Sequence, residues 1–364
     1  MKILIVQTVS IGDCLLVTPL VRQLKEVDFP GCHVSWLVAS SCRQVLENNP
    51  YIDEIIEMPF VSVENARSDI PSALDSLNKN GRVFDKIIIT DYTVENRKNL
   101  FGPLRAALLR GYEGKITIPM ESLIFLTKKE VDNVAAFAQK HRLGDFFCIL
   151  CESSPQSGQS DMNVERALRI ARMATGKCSQ VKFILSSKNK VDESSNIIDG
   201  SILTWRENAE LTKYCKLLLG CSSGITWLNT TGWSAKIPML QNIKSESDYA
   251  QGIYSVSVEL DFIYWGLQTD KIIELWGASD EKIVNCIYEI ATNSFDSARN
   301  MFKEDRYFHE SKGKENIIEH FAQNATQAFH NSERKFYSMP ATFYLKRFVA
   351  RILRIIVARS SEIV

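Results

Sequence analysis

Residues 1–13 read MKILIVQTVSIGD and join a continuous apolar run to a polar turn that contains a glycine and a carboxylate. The run Lys2–Gln7 is typical of a parallel strand that is buried on both faces. The turn Thr8–Asp13 follows it and leads into a predicted helix at Leu15–Val27. In open α/β sheets, ligands bind outside the carboxyl ends of the strands. The opening therefore predicts a doubly wound α/β fold with a polar site at the end of its first strand.

Predicted strands and helices alternate along most of the chain. In the first half, strands are predicted at His33–Val38, Glu54–Met58 and Lys86–Thr90, and helices at Cys42–Asn49, Pro71–Asn80 and Arg97–Arg110. Pro19 should bend the first helix or mark a shifted start. The alternation restarts at the helix Glu130–His141 and the strand Phe146–Cys151. It continues to the helix Asp280–Ala291, which we expect to pack on the first half.

This alternation predicts two Rossmann-like domains that face a cleft. A chain of 364 residues is also too long for one ordinary hydrophobic core. We place an N-terminal, acceptor-binding domain at residues 1–144 and a C-terminal, donor-binding domain at residues 145–296. A helical extension follows at residues 297–364.

The composition is that of a globular protein without a strong overall charge. Hydrophobic residues make up 45% and charged residues 24%, and Lys+Arg and Asp+Glu both number 43. We therefore expect no nucleic-acid partner. No apolar stretch reaches the ~20 residues of a membrane-spanning helix, and the first apolar run is too short for a signal peptide. The scattered cysteines, an odd 9 in number, favour a reducing, cytoplasmic location.

Metal and common cofactor patterns are missing from the sequence. Cys148 and Cys151 form a C-x-x-C, which we interpret as two small buried residues of one strand, with redox or metal binding as the alternative. The chain lacks H-E-x-x-H, G-x-G-x-x-G, a Walker A loop and G-x-S-x-G. We therefore expect no metal and no cofactor, and we disfavour nicotinamide enzymes and P-loop NTPases.

The turn Ser10–Asp13 is the first candidate site. Asp13 stands at the rim where a ligand would bind, and Gly12 lets the backbone approach a ligand closely. Alternatively, Ser10 or Asp13 simply caps the helix by accepting from its free N–H groups. Asp91, after the fourth strand, is predicted to face the same cleft, either as a binding residue or as a cap.

The opening of the chain resembles glycosyltransferase family 9, the ADP-heptose:lipopolysaccharide heptosyltransferase family. The elements that carry the resemblance lie in order within residues 1–58: Ser10–Asp13 for S-x-G-D, Thr18-Pro19, Leu24-Lys25, Phe29–Gly31, Trp36–Val38, and Asn49-Pro50 with Ile52-Asp53 and Ile55. The resemblance implies a GT-B architecture. It also implies an inverting reaction in which Asp13 is the general base. Ser10, Gly12 and Asp91 would then bind the acceptor.

The second half resembles the family more loosely. The family's donor-site pattern G-N-D-[ST]-G-x-x-H corresponds to residues 220–227, GCSSGITW. Ser223 and Gly224 match this pattern, whereas Ser222 replaces the Asp and Trp227 replaces the His. A turn of small residues at a helix N-terminus can still bind a diphosphate, or a serine there can cap the helix. The resemblance places these four residues in donor binding.

The loop Glu152–Asp161 takes the place of another donor-binding segment of the family. Ser153 and Ser154 could contact phosphate there, but the loop has no lysine. Lys188, or else Arg206, could supply the positive charge.

The resemblance implies a metal-independent transfer of heptose or a related sugar. The donor would be a nucleotide-diphosphate sugar, and the acceptor a glycolipid or glycan of the bacterial envelope, such as lipopolysaccharide. No D-x-D follows a strand, which agrees with the absence of a metal. The missing donor-site Asp, His and Lys favour an alternative, a non-catalytic relative that binds nucleotide or glycan in an assembly complex. A Rossmann oxidoreductase is a third class, and the missing glycine fingerprint argues against it.

The segment 341–359 has the pattern of a basic amphipathic helix. It contains five basic residues and no acidic residue, and Arg347, Arg351 and Arg354 fall on one helical face. One interpretation is peripheral binding to an anionic surface of the inner membrane. The other is that the segment packs its apolar side on the protein.

Overall fold

The chain folds around two parallel β-sheets joined in tandem. A computed structural model describes residues 1–60, 62–91, 93, 102–244, 254–255, 258–265 and 267–303. The predicted segment 341–359 lies outside these residues, as does most of the extension 297–364. The two sheets confirm the predicted Rossmann-like architecture.

The first half contains a four-stranded sheet with the strand order β3-β2-β1-β4, in which all pairs are parallel. Its elements are β1 (Lys2–Val6), α1 (Ile11–Val17), α2 (Pro19–Gln23), β2 (His33–Ala39), β3 (Glu54–Met58), α3 (Val63–Ser68), α4 (Ile70–Lys79), β4 (Lys86–Ile89), β5 (Gly102–Pro103), α5 (Leu104–Leu109) and α6 (Lys128–Lys140). In the central strand β1, Ile5 lies opposite Trp36 on one side and Ile88 on the other. Ile3–Val6 are fully buried, as expected of a strand covered on both faces.

The second half contains a six-stranded parallel sheet with the strand order β12-β10-β9-β6-β7-β8. Its elements are β6 (Phe147–Glu152), α7 (Val164–Lys177), β7 (Val181–Ser186), β8 (Ile197–Asp199), α8 (Glu207–Leu211), β9 (Leu217–Gly220), α9 (Gly224–Leu228), β10 (Met239–Ile243), β11 (Tyr254–Ser255), α10 (Val258–Tyr264), β12 (Ile272–Trp276), α11 (Asp280–Thr292) and α12 (Phe295–Phe302). The order changes direction beside β6 and β9. Ligands of open α/β sheets bind at such a switch point.

The two halves contact each other through the elements that follow their central strands. Helix α1 follows β1, helix α9 follows β9, and these two helices pack together. One hydrophobic cluster contains residues of both halves, from Ile5 and Leu16 to Trp227 and Leu228. The short strands β5 and β11 also pair across the two halves. The carboxyl ends of the two sheets therefore face each other.

Several predicted elements have different bounds in the structure. The predicted helix Leu15–Val27 is two helices, α1 and α2, because Pro19 begins the second one at its first turn. The predicted helix Cys42–Asn49 is a 3-10 turn at Ser40–Val45. Of the predicted helix Arg97–Arg110, the described part begins only at Leu104, with α5.

Helix α11 does not pack on the first half, and that prediction was wrong. It packs on α7 and α12, where Ile283 and Ile287 join Ala167 and Ile170 in the core of the second half. The domain boundary near residue 144 remains our proposal. Helix α6 lies on its N-terminal side but packs on α8 of the second half.

Candidate functional site

Asp13 lies in the first turn of α1, at the carboxyl end of β1. The residue is half-buried, and protein surrounds most of its carboxyl. Ser10 donates a hydrogen bond to Asp13. Ser10 also has a φ of 68°, a region that L-residues rarely adopt. Backbone strain of this kind costs about 1–3 kcal/mol and clusters at functional sites.

The surroundings of Asp13 shift its acidity toward neutrality. Burial raises the pKa of Asp13 to about 7, the positive charge of Arg67 opposes the rise, and the negative charge of Asp91 adds to it. A general base is most effective when its pKa lies near the working pH. Asp13 therefore has the acidity and the partial exposure that proton transfer at neutral pH requires.

Asp91 is fully buried and its carboxylate is already bound by the protein. Oδ2 accepts from the Thr8 N–H at 2.6 Å and from the Thr8 hydroxyl at 2.5 Å, and Oδ1 accepts from Arg67 Nε at 3.2 Å. The structure thus places Asp91 behind Asp13 and not on an open surface. We do not retain it as an acceptor-binding residue, because its carboxylate binds Thr8 and Arg67.

Arg67 was not found by sequence analysis. It lies near the end of α3, a helix with the sequence VENARS, whose polar composition hides it from a search for apolar periodicity. Its side chain is 28% exposed, pairs with Asp91 and acts electrostatically on Asp13. Arg67 can therefore contact solvent or ligand while it acts electrostatically on Asp13.

Gly12 and Gly224 serve the contact between the halves. A Cβ on Gly12 would lie 2.9 Å from Cδ1 of Trp227, and a Cβ on Gly224 would lie 3.0 Å from Nε1 of Trp205 and 3.7 Å from Cγ2 of Ile11. Trp227 is only 3% exposed. The close approach predicted at Gly12 is thus made by a tryptophan ring. From α9, Trp227 packs on α1 and is not on a ligand surface, which corrects our prediction for it.

At the turn between β9 and α9, the N–H groups of Cys221, Ser222 and Ile225 are bound by the chain itself, which corrects the expectation of a fully open phosphate-binding turn. Glu152, at the end of β6, accepts from the N–H of Ile225 at 2.8 Å and from that of Cys221 at 3.0 Å. The Thr226 hydroxyl also donates to Glu152, at 3.0 Å. Ser222, with a φ of 49°, donates its N–H to Gln241 at 2.9 Å.

Glu152 is buried, 3% exposed, and sequence analysis did not identify it. Burial raises its pKa, and the donated hydrogen bonds from Ile225, Cys221 and Thr226 oppose that rise. Both of its oxygens accept hydrogen bonds, as a carboxylate does. A carboxyl group of the chain itself therefore occupies the space beyond β9.

The remaining donor-site candidates form a rim above this turn. The Gln156 N–H donates to the Ser223 hydroxyl at 3.3 Å, and Lys188 donates to Oε1 of Gln156 at 3.2 Å. Lys188 is exposed and Ser154 is partly buried. Ser153 is fully buried and donates its hydroxyl to the Ser186 carbonyl at 2.7 Å, which removes it from the rim.

Arg206 is buried, 3% exposed, and does not face the rim. It donates to Oε1 of Glu130 at 2.6 Å, to the Gln44 carbonyl at 2.6 Å and to the Phe125 carbonyl. The alternative that Arg206 supplies positive charge to a phosphate was therefore wrong. Its contacts instead connect the second half to the first.

The C-x-x-C pair consists of strand residues, as predicted. Cys148 and Cys151 are buried free thiols in β6, and burial raises the pKa of Cys148 to about 11. Within the part of the chain that the structure describes, no group of His, Cys, Asp and Glu side chains is placed to hold a metal ion. Nor does any helix of that part have the length and apolarity needed to cross a membrane.

Comparison with solved structures relates the fold to known proteins. A family 9 glycosyltransferase from Veillonella parvula superimposes with a TM-score of 0.53 at 17% identity, over 82% of this chain and 94% of that protein. The E. coli ADP-heptose lipopolysaccharide heptosyltransferase II gives a TM-score of 0.49 at 12% identity, over 78% of this chain and 97% of that one. No protein-family model and no curated protein matches the sequence.

The fold is therefore of the GT-B type, with two Rossmann-like sheets whose carboxyl ends face each other. The expectation from the first 58 residues, that the chain resembles glycosyltransferase family 9, is confirmed at the level of the fold.

Proposed function

We propose that the chain is an inverting glycosyltransferase in which Asp13 is the general base. The observation that carries this proposal is a partly exposed carboxyl at the end of β1, bound by Ser10, with a pKa of about 7. A carboxyl with only a capping role gains nothing from such a shift, since neutralisation weakens a cap. A base at neutral pH requires it.

In the proposed reaction, Asp13 accepts the proton of an acceptor hydroxyl while the hydroxyl oxygen attacks the anomeric carbon of the donor sugar. The bond from that carbon to the diphosphate oxygen breaks, and its electron pair leaves with the diphosphate. Attack opposite the leaving group inverts the anomeric configuration. Arg67 favours the ionised form of Asp13 before the reaction.

We propose a nucleotide-diphosphate sugar as donor and a glycolipid or glycan of the bacterial envelope as acceptor, in a cytoplasmic, metal-independent reaction. Lys188 and Ser154 at the rim would contact the diphosphate, because Lys188 is exposed and Ser154 is only partly buried. Ser223 is buried and would act through Gln156, which links it to Lys188. A positive charge beside a leaving diphosphate stabilises the charge that develops there.

A non-catalytic nucleotide- or glycan-binding protein is the second candidate. The observation that favours it is the β9–α9 turn, whose N–H groups are bound by the chain's own Glu152 and Gln241.

A panel of ADP-, GDP-, UDP- and CMP-linked sugars distinguishes the two candidates. The glycosyltransferase should be thermally stabilised by at least one donor and should release the nucleotide from it when a glycan acceptor is added. Thermal stabilisation without release, with every donor and acceptor tried, would support the second candidate and contradict the first.

A further inference from the structure

The space beyond β9 is an anion-binding cradle that the chain fills itself. Backbone N–H groups at strand ends and turns bind anions because their positive ends point outward together. Here the N–H groups of Cys221 and Ile225 and the hydroxyl of Thr226 all donate to Glu152. In the same turn, the N–H of Ser222 donates to Gln241.

Glu152 has no cationic partner among the described residues. Its polar partners there are backbone N–H groups and one hydroxyl. A phosphate brought to the same turn would lose these donors to Glu152, and an ionised Glu152 would also repel it in a buried environment. Like charges repel strongly where the effective dielectric constant is low.

An available cation lies above the same turn. Lys188 is exposed, its recorded partner is the neutral amide of Gln156, and it forms no ion pair within the described ranges. Gln156 in turn binds Ser223, the residue just before α9. Among the described residues, the positive charge of Lys188 therefore connects to the turn only through the loop that carries Gln156.

We propose that Glu152 is a specificity-determining residue that excludes the donor's phosphates from the β9–α9 turn and confines them to the rim at Lys188. This inference rests on the proposed function, because it assigns the place of the leaving group. It predicts a donor site in which the side chain of Lys188, and not the backbone of the turn, binds the diphosphate.

Inorganic pyrophosphate titrated into the ¹⁵N-labelled wild-type protein tests the exclusion directly. The amide signals of Gln156 and Lys188 should shift with pyrophosphate, while those of Cys221 and Ile225 should not. Shifts at Cys221 and Ile225 would overturn the proposal, and so would a titration in which no rim signal moves.

The substitution Glu152→Gln tests the role of the charge. It preserves the size of the side chain and should tighten pyrophosphate binding about tenfold in calorimetry. Thr226→Val is the matched control, since it removes the hydroxyl that contacts Glu152, Cys221 and Gln241 but leaves the carboxyl in place, and it should not change the affinity. Unchanged or weaker binding by Glu152→Gln, or equal tightening by both variants, would overturn the proposal. If Glu152→Gln does not fold, the wild-type titration decides alone.

These measurements are separate from a test of catalysis, because pyrophosphate is not a sugar donor. If pyrophosphate is excluded from the turn but the protein transfers no sugar, only the proposed function is contradicted. If the protein transfers sugar but the amide signals of the turn shift with pyrophosphate, only the proposed role of Glu152 is contradicted.

Discussion

At the scale of single residues, the decisive feature is the shifted acidity of Asp13. Burial, Asp91 and Arg67 together place its pKa at about 7, where a carboxyl can both hold and release a proton at physiological pH. Activity limited by this base should rise with pH and level off above about 7. The activity rises with pH because only the ionised carboxyl of Asp13 accepts a proton.

Arg67 should control the position of this pH profile. Arg67→Gln removes a positive charge that favours the ionised form, so the acid limb of kcat/KM should move to higher pH by about one unit. The pH–rate profiles of the two proteins give this shift. Arg67→Lys is the control, because it keeps the charge and should leave the limb near its original position. An unmoved limb in Arg67→Gln would show that Arg67 does not act on the base.

The same shift predicts how stability depends on pH. The folded-state pKa of Asp13 lies above its ordinary value of 3.8, so the folded protein binds the proton more tightly, and stability is lost as pH rises from about 4 to 7. Asp13→Asn should therefore raise the free energy of unfolding at pH 8 by about 1–3 kcal/mol, a range discounted for solvent exposure. It should give little gain at pH 4. Urea unfolding at both pH values measures this, and an equal gain at both would contradict it.

At the scale of elements, the contact between α1 and α9 fixes the position of the base. Gly12 precedes Asp13 and approaches the ring of Trp227 so closely that a Cβ would contact Cδ1 at 2.9 Å. Gly12→Ala should destabilise the protein by about 1–3 kcal/mol through overpacking. Gly176→Ala in α7 is the control, since nothing lies within 4 Å of its added Cβ, and it should stabilise by up to about 1 kcal/mol. Similar effects of the two substitutions on thermal unfolding would argue against a tight α1–α9 contact.

The central strands of the first sheet were predictable because they are buried on both faces. Lys2–Val6 and His33–Ala39 each differ from their predictions by one residue, as largely apolar runs allow. Strand β12 was missed because Glu274 interrupts its apolar pattern. That carboxylate accepts the N–H of Glu259, a partner 15 residues away that local patterns cannot indicate.

The candidate site was only partly predictable, because some of its contacts join residues that are far apart in the chain. Asp13 follows a recognisable strand and turn, whereas Glu152 acts on residues about 70 positions further along the chain. Whether a carboxylate at a strand end binds a ligand or binds the chain itself depends on which distant turn the fold places beside it. The sequence pattern at residues 220–227 thus indicated the turn. It did not indicate that Glu152 and Gln241 accept hydrogen bonds from N–H groups of that turn.

At the scale of the whole molecule, Arg206 connects the two halves. It is buried against Glu130 and the carbonyls of Gln44 and Phe125. Arg206→Met leaves the partly exposed Glu130 carboxylate without its cation and two carbonyls without their donor, which should cost about 2–4 kcal/mol. Lys128→Ala, which breaks the exposed pair with Asp132 in the same helix α6, should cost less than about 1 kcal/mol. Comparable losses in chemical denaturation would show that Arg206 does not join the halves.

The basic segment 341–359 lies outside the described residues, and its role remains a prediction from sequence. Replacing Arg347, Arg351 and Arg354 with Gln should weaken binding to anionic phosphatidylserine vesicles roughly 100-fold, since each basic residue contributes about 1 kcal/mol at such a surface. Replacement of the same three residues with Lys should preserve binding in vesicle sedimentation. Equal binding by the Gln variant would favour packing of the segment on the protein.

The central claim is that one carboxyl at the end of β1 removes the acceptor's proton. Single-turnover transfer by wild type and by Asp13→Asn, each saturated with the same donor and acceptor, measures this step alone. The account predicts a rate about 100- to 10,000-fold lower in Asp13→Asn with unchanged donor affinity. A rate within threefold of wild type would contradict the account and would remove Asp13 from the chemistry.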